Sequence, residues 1–249
     1  MTGPWRLPAL FACVLVLAGC AGALSWNPYA SSTPRVVRPA QRSEPIPAHY
    51  VVRPGDTLYS IAWRYGLDYH DVATWNRIGP DYLIKPGEVL ELAAPITPRA
   101  VRRPPAAPVV ANAASVVGST VAPPSGPLTW IWPTQGSVVR LFRAGDPLSK
   151  GIDISGTLGQ PVYAATPGKV VYSGSGIVGY GELIIVKNSE HFLSAYADNS
   201  RMLVHEGDMV EAGQAIAAMG LDRDGHALLH FEIRYNGQPV NPLDYLPKR

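Results

Sequence analysis

Asp153 and His230 are the two side chains whose type and setting could contribute to a metal site. Asp153 lies in "GIDIS" (151–155) and His230 in "LLHFEIRY" (228–235), both strand-like runs. A zinc hydrolase needs three protein ligands, an open position for water and a base or charged group beside that water. On a strand, residues i and i+2 project from one face with Cα atoms ~6.5–7 Å apart, so histidines so spaced can converge on one ion. Ser149, four residues before Asp153, stands where a histidine would be useful. His226 would share a strand face with His230 if the strand extended that far, but four residues separate them by ~13 Å, too far to share a metal. Lys150 is expected to point to the opposite face as a strand neighbour, and a cation repels zinc. Asp198 could serve as a third ligand in principle, while His191 and His205 read as solvated loop residues. No metal or other cofactor is expected.

The elements that must position this pair are short strands. Besides the two runs above, "SVVRLF" (137–142), "PVYAA" (161–165), "KVVYSG" (169–174), "ELIIVKN" (182–188) and "HFLSAYA" (191–197) read as strands, with Gly or Pro at nearly every junction. No helix longer than a turn or two is expected in 128–249, which gives a mainly antiparallel all-β domain.

A smaller unit, 49–93, reads strand–helix–helix–strand. "HYVV" (49–52) alternates, and "PGDT" (54–57) is a turn in which Asp56 or Thr57 can cap a helix by accepting a backbone N–H. Leu58, Ile61, Ala62 and Tyr65 follow at helical spacing, and Gly66 stops the helix. "YHDVATWN" (69–76) is a second short helix, and "LIKPGEVLEL" (83–92) carries a turn into a closing strand. The fold class is α+β overall, a small βααβ module followed by the all-β domain.

Hydrophobic residues make up 47% of the 249, enough for two cores, while a formal net charge of +2 gives no case for nucleic-acid binding. The basic excess falls at Arg35, Arg38 and Arg42 and at Arg99, Arg102 and Arg103, in stretches 20–48 and 94–127 whose Pro, Ala and Ser content marks them as tethers. Residues 1–19 read as a signal peptide, with Arg6 followed by the apolar run "LPALFACVLVLAG" (7–19), too short for a comfortable span. "LAGC" (17–20) resembles a bacterial lipobox, which implies cleavage after Gly19 and lipidation (palmitate included) of Cys20. The other cysteine, Cys13, lies in the segment removed, so the mature chain would have no disulfide. Ala21, rather than Asp, after the cysteine favours the outer membrane by resemblance to sorting rules.

"VVRPGDTLYSIAWRYG", "WN" and "IKPGEVLEL" resemble the LysM module. The resemblance implies binding of N-acetylglucosamine-containing glycan, here peptidoglycan, in a groove formed by Gly55, Asp56, Thr57 and Leu58 with Ile84, Pro86 and Gly87 opposite. Capping alone also accounts for Asp56 and Thr57. "GIDISGTLGQPVYAATPGKVVYSG", "GYGELIIVKN" and "LHFEIRYNGQPVNPLDYLP" resemble the LytM/lysostaphin-type zinc endopeptidase domain. That resemblance puts metal ligands at the histidine and aspartate of H-x-x-x-D and the last histidine of H-x-H. Asp153 and His230 keep two of these and are expected to remain as a hydrogen-bonded pair or as groove lining, but the first ligand is Ser149. The two catalytic histidines are replaced by Asp198 and Leu228, which implies an inactive homologue.

Lipid anchor, LysM module and degenerate LytM domain in this order resemble the NlpD-type lipoproteins. The family implies activation of a periplasmic N-acetylmuramoyl-L-alanine amidase in septal wall splitting during cell division. The chain would face the periplasm from the outer membrane, enriched at the septum. The partner-binding groove would then be Ser149, Asp153, Asp198, Leu228 and His230. A zinc endopeptidase and a passive wall-binding lipoprotein are the alternatives.

Overall fold

The computed structural model describes residues 46–94 and 128–249. Cys20, the apolar run before it and most of the stretches 20–48 and 94–127 lie outside the described residues.

The first module pairs β1 (His49–Val51) with β2 (Val89–Glu91) antiparallel, Tyr50 opposite Leu90, around α1 (Leu58–Tyr65) and α2 (Tyr69–Asn76). Thr57, not Asp56, caps α1: its hydroxyl accepts from the Ser60 amide at 3.1 Å while the Ser60 hydroxyl accepts from the Thr57 amide at 3.0 Å. Gly66 ends the helix in the left-handed region at φ 67°, where an L side chain is strained. Asn76 ties α2 to β2, donating to the Glu91 carbonyl and accepting from the Glu91 amide at 2.8 and 2.7 Å. Leu58, Ile61 and Ala62 are buried, as the helical spacing requires, and so is Trp63, for which a helix of this module alone gives no reason.

The second module is one antiparallel sheet: β3 (Val138–Arg140), β4 (Ile152–Ser155), β5 (Pro161–Tyr163), β6 (Gly168–Gly174), β7 (Glu182–Lys187), β8 (Phe192–Met202), β9 (Met209–Val210), β10 (Ala215–Leu221), β11 (Ala227–Tyr235) and β12 (Gln238–Val240). The strand order is β3-β4-β11-β10-β8-β7-β6-β9, with β8 also pairing β11, β12 on β11 and β5 on β10. The βααβ module and the antiparallel domain are those expected from the sequence.

Side chains alternate across the sheet, and both faces are covered. Ile184 and Val186 of β7, Tyr196 of β8 and Leu229, Phe231 and Ile233 of β11 enter a core with Trp130 and Ile152. The alternate residues, Leu183 and Ile185 of β7 and Leu193, Ala195 and Ala197 of β8, enter a second core shared with Trp63 and the first module. The two modules belong to one compact unit, and the first is seated on the outer sheet face.

Candidate functional site

The β4–β11 register sets Asp153 directly opposite His230, on the face that also carries Glu232 and Arg234. His230 Nδ1 lies 2.7 Å from Asp153 Oδ1 and Nε2 lies 3.1 Å from Glu232 Oε1. β3 places Arg140 beside Asp153, its guanidinium 3.1 Å from Oδ2. Glu232 also accepts from the Tyr180 hydroxyl at 2.7 Å and from Arg234 Nε at 3.0 Å. Burial alone would lower the His230 pKa, but its hydrogen bonds to Asp153 and Glu232 outweigh it and push it up to about 9. Burial would raise Glu232, but Arg234, followed by His230, brings it down to about 2.

This donor set does not fit zinc. Zinc needs three protein ligands, and Asp153 and His230 are only two, with Ser149 where the sequence would need a histidine. Asp153 is also committed to a cation, Arg140, through Oδ2. Ser149 is buried and hydrogen-bonds Asp146 in its own loop. Leu228 is only 6% exposed. Asp198 is half-buried at φ 60°, and burial raises its pKa to about 6, with the nearby His230 charge opposing that rise.

One expectation about a neighbour is corrected: strand alternation does not set the direction of Lys150. It lies in the bend before β4 rather than on a strand, close enough to Arg234 and Glu232 to interact with both, and burial followed by Arg234 lowers its pKa. His226 is off the strand, since β11 begins at Ala227, and its amide bonds Asp222 Oδ1 at 2.9 Å in the preceding turn.

On the first module, the two halves of the expected glycan groove are turns tied to one residue: Val52 donates to the Glu88 carbonyl and accepts from the Gly87 amide, both at 2.8 Å. Gly55 and Gly87 take φ 83° and 88° in open surroundings, and Pro86 is exposed. Asp56 binds the Arg53 amide at 2.8 Å and the Tyr50 hydroxyl at 2.7 Å, so it builds the turn. Leu58 is fully buried and serves the module core with its side chain, while Ile84 packs half-buried against that core. Gly55, Thr57, Pro86 and Gly87 remain at or near the surface.

Sequence reasoning did not single out Glu232, Arg234 and Tyr180, which join the Asp153–His230 pair to the first module. Arg234 is 1% exposed. Its Nη1 donates to the Trp63 carbonyl at 2.9 Å, its Nη2 to Tyr180 at 3.2 Å, and its guanidinium carbon lies 3.4 Å from the centroid of the Trp63 ring. Tyr180 stands between the rings of Trp63 and His230, at 6.4 and 6.0 Å. Around this pin, Gln238 donates to the Gly66 carbonyl at 2.9 Å, Tyr69 to the Glu190 carbonyl at 3.0 Å, and His70 pairs with the Glu190 carboxylate. An arginine two strand residues beyond a glutamate was the available signal, since both sit on the face of His230.

Residues 50–92 match the LysM domain and residues 147–242 match Peptidase family M23. The described residues therefore form a LysM module seated on an M23-type sheet. The chain is 42% identical to the "Lipoprotein NlpD/LppB homolog" of Pseudomonas aeruginosa, over 84% of this chain and 80% of that one. It is 39% identical to the "Uncharacterized lipoprotein YgeR" of Escherichia coli K12, over 94% and 89% of the two chains. To the "Murein hydrolase activator NlpD" of the same organism it is 38% identical, over 80% and 68%. The chain belongs to the NlpD/LppB family of lipoproteins.

Proposed function

We propose that this protein is a peptidoglycan-binding lipoprotein that activates a periplasmic N-acetylmuramoyl-L-alanine amidase and is not itself a peptidase. The anchor is Cys20, and the chain faces the periplasm from the outer membrane, enriched at the division septum. The LysM turns around Gly55, Thr57, Pro86 and Gly87 hold the glycan. The M23-type sheet acts by contact, through the face carrying Ser149, Asp153, Asp198, Leu228 and His230. Its relatives named as murein hydrolase activators support the activator role.

The observation that carries the reading is the incomplete donor set: Asp153 and His230 face each other, but Ser149 and Leu228 stand where a third ligand and a base would be needed. A network of five charged side chains, Arg140, Asp153, His230, Glu232 and Arg234, occupies the place of a catalytic centre. The test is release of dye from labelled peptidoglycan by an amidase, with and without the full chain. Release only when both proteins are present is expected. Release by the chain alone, abolished by a chelator, would mean a working peptidase.

A further inference from the structure

Between the LysM module and the sheet lies a cleft of about 970 Å³ that needs both modules to form. One wall is the turn before α1, with Arg53 and Gly55, and Arg64 from the helix. The other wall is the β6–β7 region and the end of β8, with Tyr172, Glu182 and Arg201. Arg64 joins the two, its guanidinium reaching the Tyr50 hydroxyl at 2.7 Å, Asp56 at 3.4 Å and, across the junction, the Gly176 carbonyl at 3.3 Å. The upper walls carry charge that is not committed. Among the described residues, Glu182 and Arg201 have no ion pair or side-chain hydrogen bond, and the Arg53 guanidinium only lies over the Tyr50 ring at 5.8 Å.

Exposed charges are ordinarily solvated surface, but the position and chemistry of these set them apart. Only the Gly55–Asp56 half of the LysM groove lines the cleft, and Ile84, Pro86 and Gly87 do not. The Gly55 turn therefore borders both the LysM groove and this space, so a glycan held there can extend into it. Uncharged sugar rings give no use to guanidinium groups on opposite walls. The peptide stems of peptidoglycan do, because they carry free carboxylates and an amine.

We infer that the cleft is a second binding site, for the peptide-bearing sugar adjoining the one held by the LysM turn. Stem carboxylates meet Arg53 and Arg201 from opposite walls, and the stem amine meets Glu182. The inference rests on the glycan-binding reading above and extends it from glycan to glycan plus peptide.

Three ligands separate the two readings when titrated against the full chain in detergent: disaccharide–peptide oligomers from digested sacculi, the same glycan stripped of peptide, and N-acetylglucosamine oligomers. The peptide-bearing oligomers are expected to bind about tenfold tighter than the stripped glycan, the scale of one charge-assisted contact. Arg201→Ala and Glu182→Gln, both at solvent-accessible positions, should erase that difference and leave affinity for the stripped glycan and the sugar oligomers unchanged. Wild-type affinity of Arg201→Ala and Glu182→Gln for the peptide-bearing ligand would overturn the second site while sparing LysM binding. If the wild-type chain binds none of the three, the LysM reading fails and the second site with it.

Discussion

His230 holds its second proton because of where two carboxylates sit, and that makes it a source of pH-dependent stability. Its folded pKa, about 9, lies above the ordinary histidine value near 6.5. The folded protein therefore keeps a proton that the unfolded chain has released. The stabilisation is fully present below about pH 6.5 and is lost as pH rises through about 9. Its ceiling is on the order of 3 kcal/mol, from the shift at about 1.4 kcal/mol per unit. Urea unfolding midpoints should fall between pH 6.5 and 9.5 for the wild type and much less for His230→Gln. The missing third ligand predicts that excess zinc leaves the thermal midpoint of the wild-type chain in place. A rise of several degrees on adding zinc would mean that His230 gives up its partners to the metal. Asp153 and His230 were legible as a pair through the resemblance to H-x-x-x-D and H-x-H, since strand spacing relates residues within one strand and not across two. Their neighbours were less so: Arg140, the partner of Asp153, comes from a strand shifted by a bulge, and Lys150, near Glu232 and Arg234, lies in a bend where strand alternation does not apply.

Thr57 is a test of how far one element's start can be read from its residues. Both Asp56 and Thr57 were candidates to cap α1, and the structure gives Thr57 the capping box and Asp56 the turn. Thr57→Ala should cost about 1 kcal/mol, read by urea unfolding, whereas Thr57→Ser should cost little and keep binding to sacculi intact. Loss of binding in a well-folded Thr57→Ser would give the threonine methyl a direct glycan contact. Strands were legible where residues are β-branched and alternate. β10 was not, because "AIAAMGL" has little intrinsic strand preference. Its small residues answer to crowding: Ala217 faces both β5 and β8, and a Cβ on Gly220 would fall 2.5 Å from the Asp198 carbonyl oxygen. β12 did carry a signal, since Asn236–Gly237 takes φ 46° and 73°, the hairpin-turn conformation that this pair favours. So did the docking face: "LIIV" (183–186) is apolar without alternation, which an antiparallel strand tolerates when both its faces are covered.

At the scale of the molecule, the sheet face assigned to amidase contact is partly closed by the LysM module, through Trp63, Arg234 and Tyr180. Truncating Arg234 would leave Glu232 buried without its strongest partner, a loss of roughly 3–5 kcal/mol that could unfold the sheet itself. Gly237 offers a cleaner way to open the junction. A Cβ there would lie 2.4 Å from the Leu67 carbonyl oxygen, which backbone cannot yield, whereas the hairpin itself would bear only the strain of an alanine at φ 73°, about 1 kcal/mol. Gly237→Ala should therefore lift the LysM module while the sheet stays folded. Hydrogen exchange would read this as faster exchange across 58–66 with unchanged protection in β7 and β8. The cleft between the modules would be lost with the docking, and the preference for peptide-bearing glycan along with it. Amidase stimulation per molecule should rise, because the face around Tyr180 and Glu232 becomes available to the enzyme without first displacing Trp63. Stimulation equal to wild type, in a variant whose exchange pattern shows the module released, would place the activating contact on a part of the sheet that the LysM module does not cover.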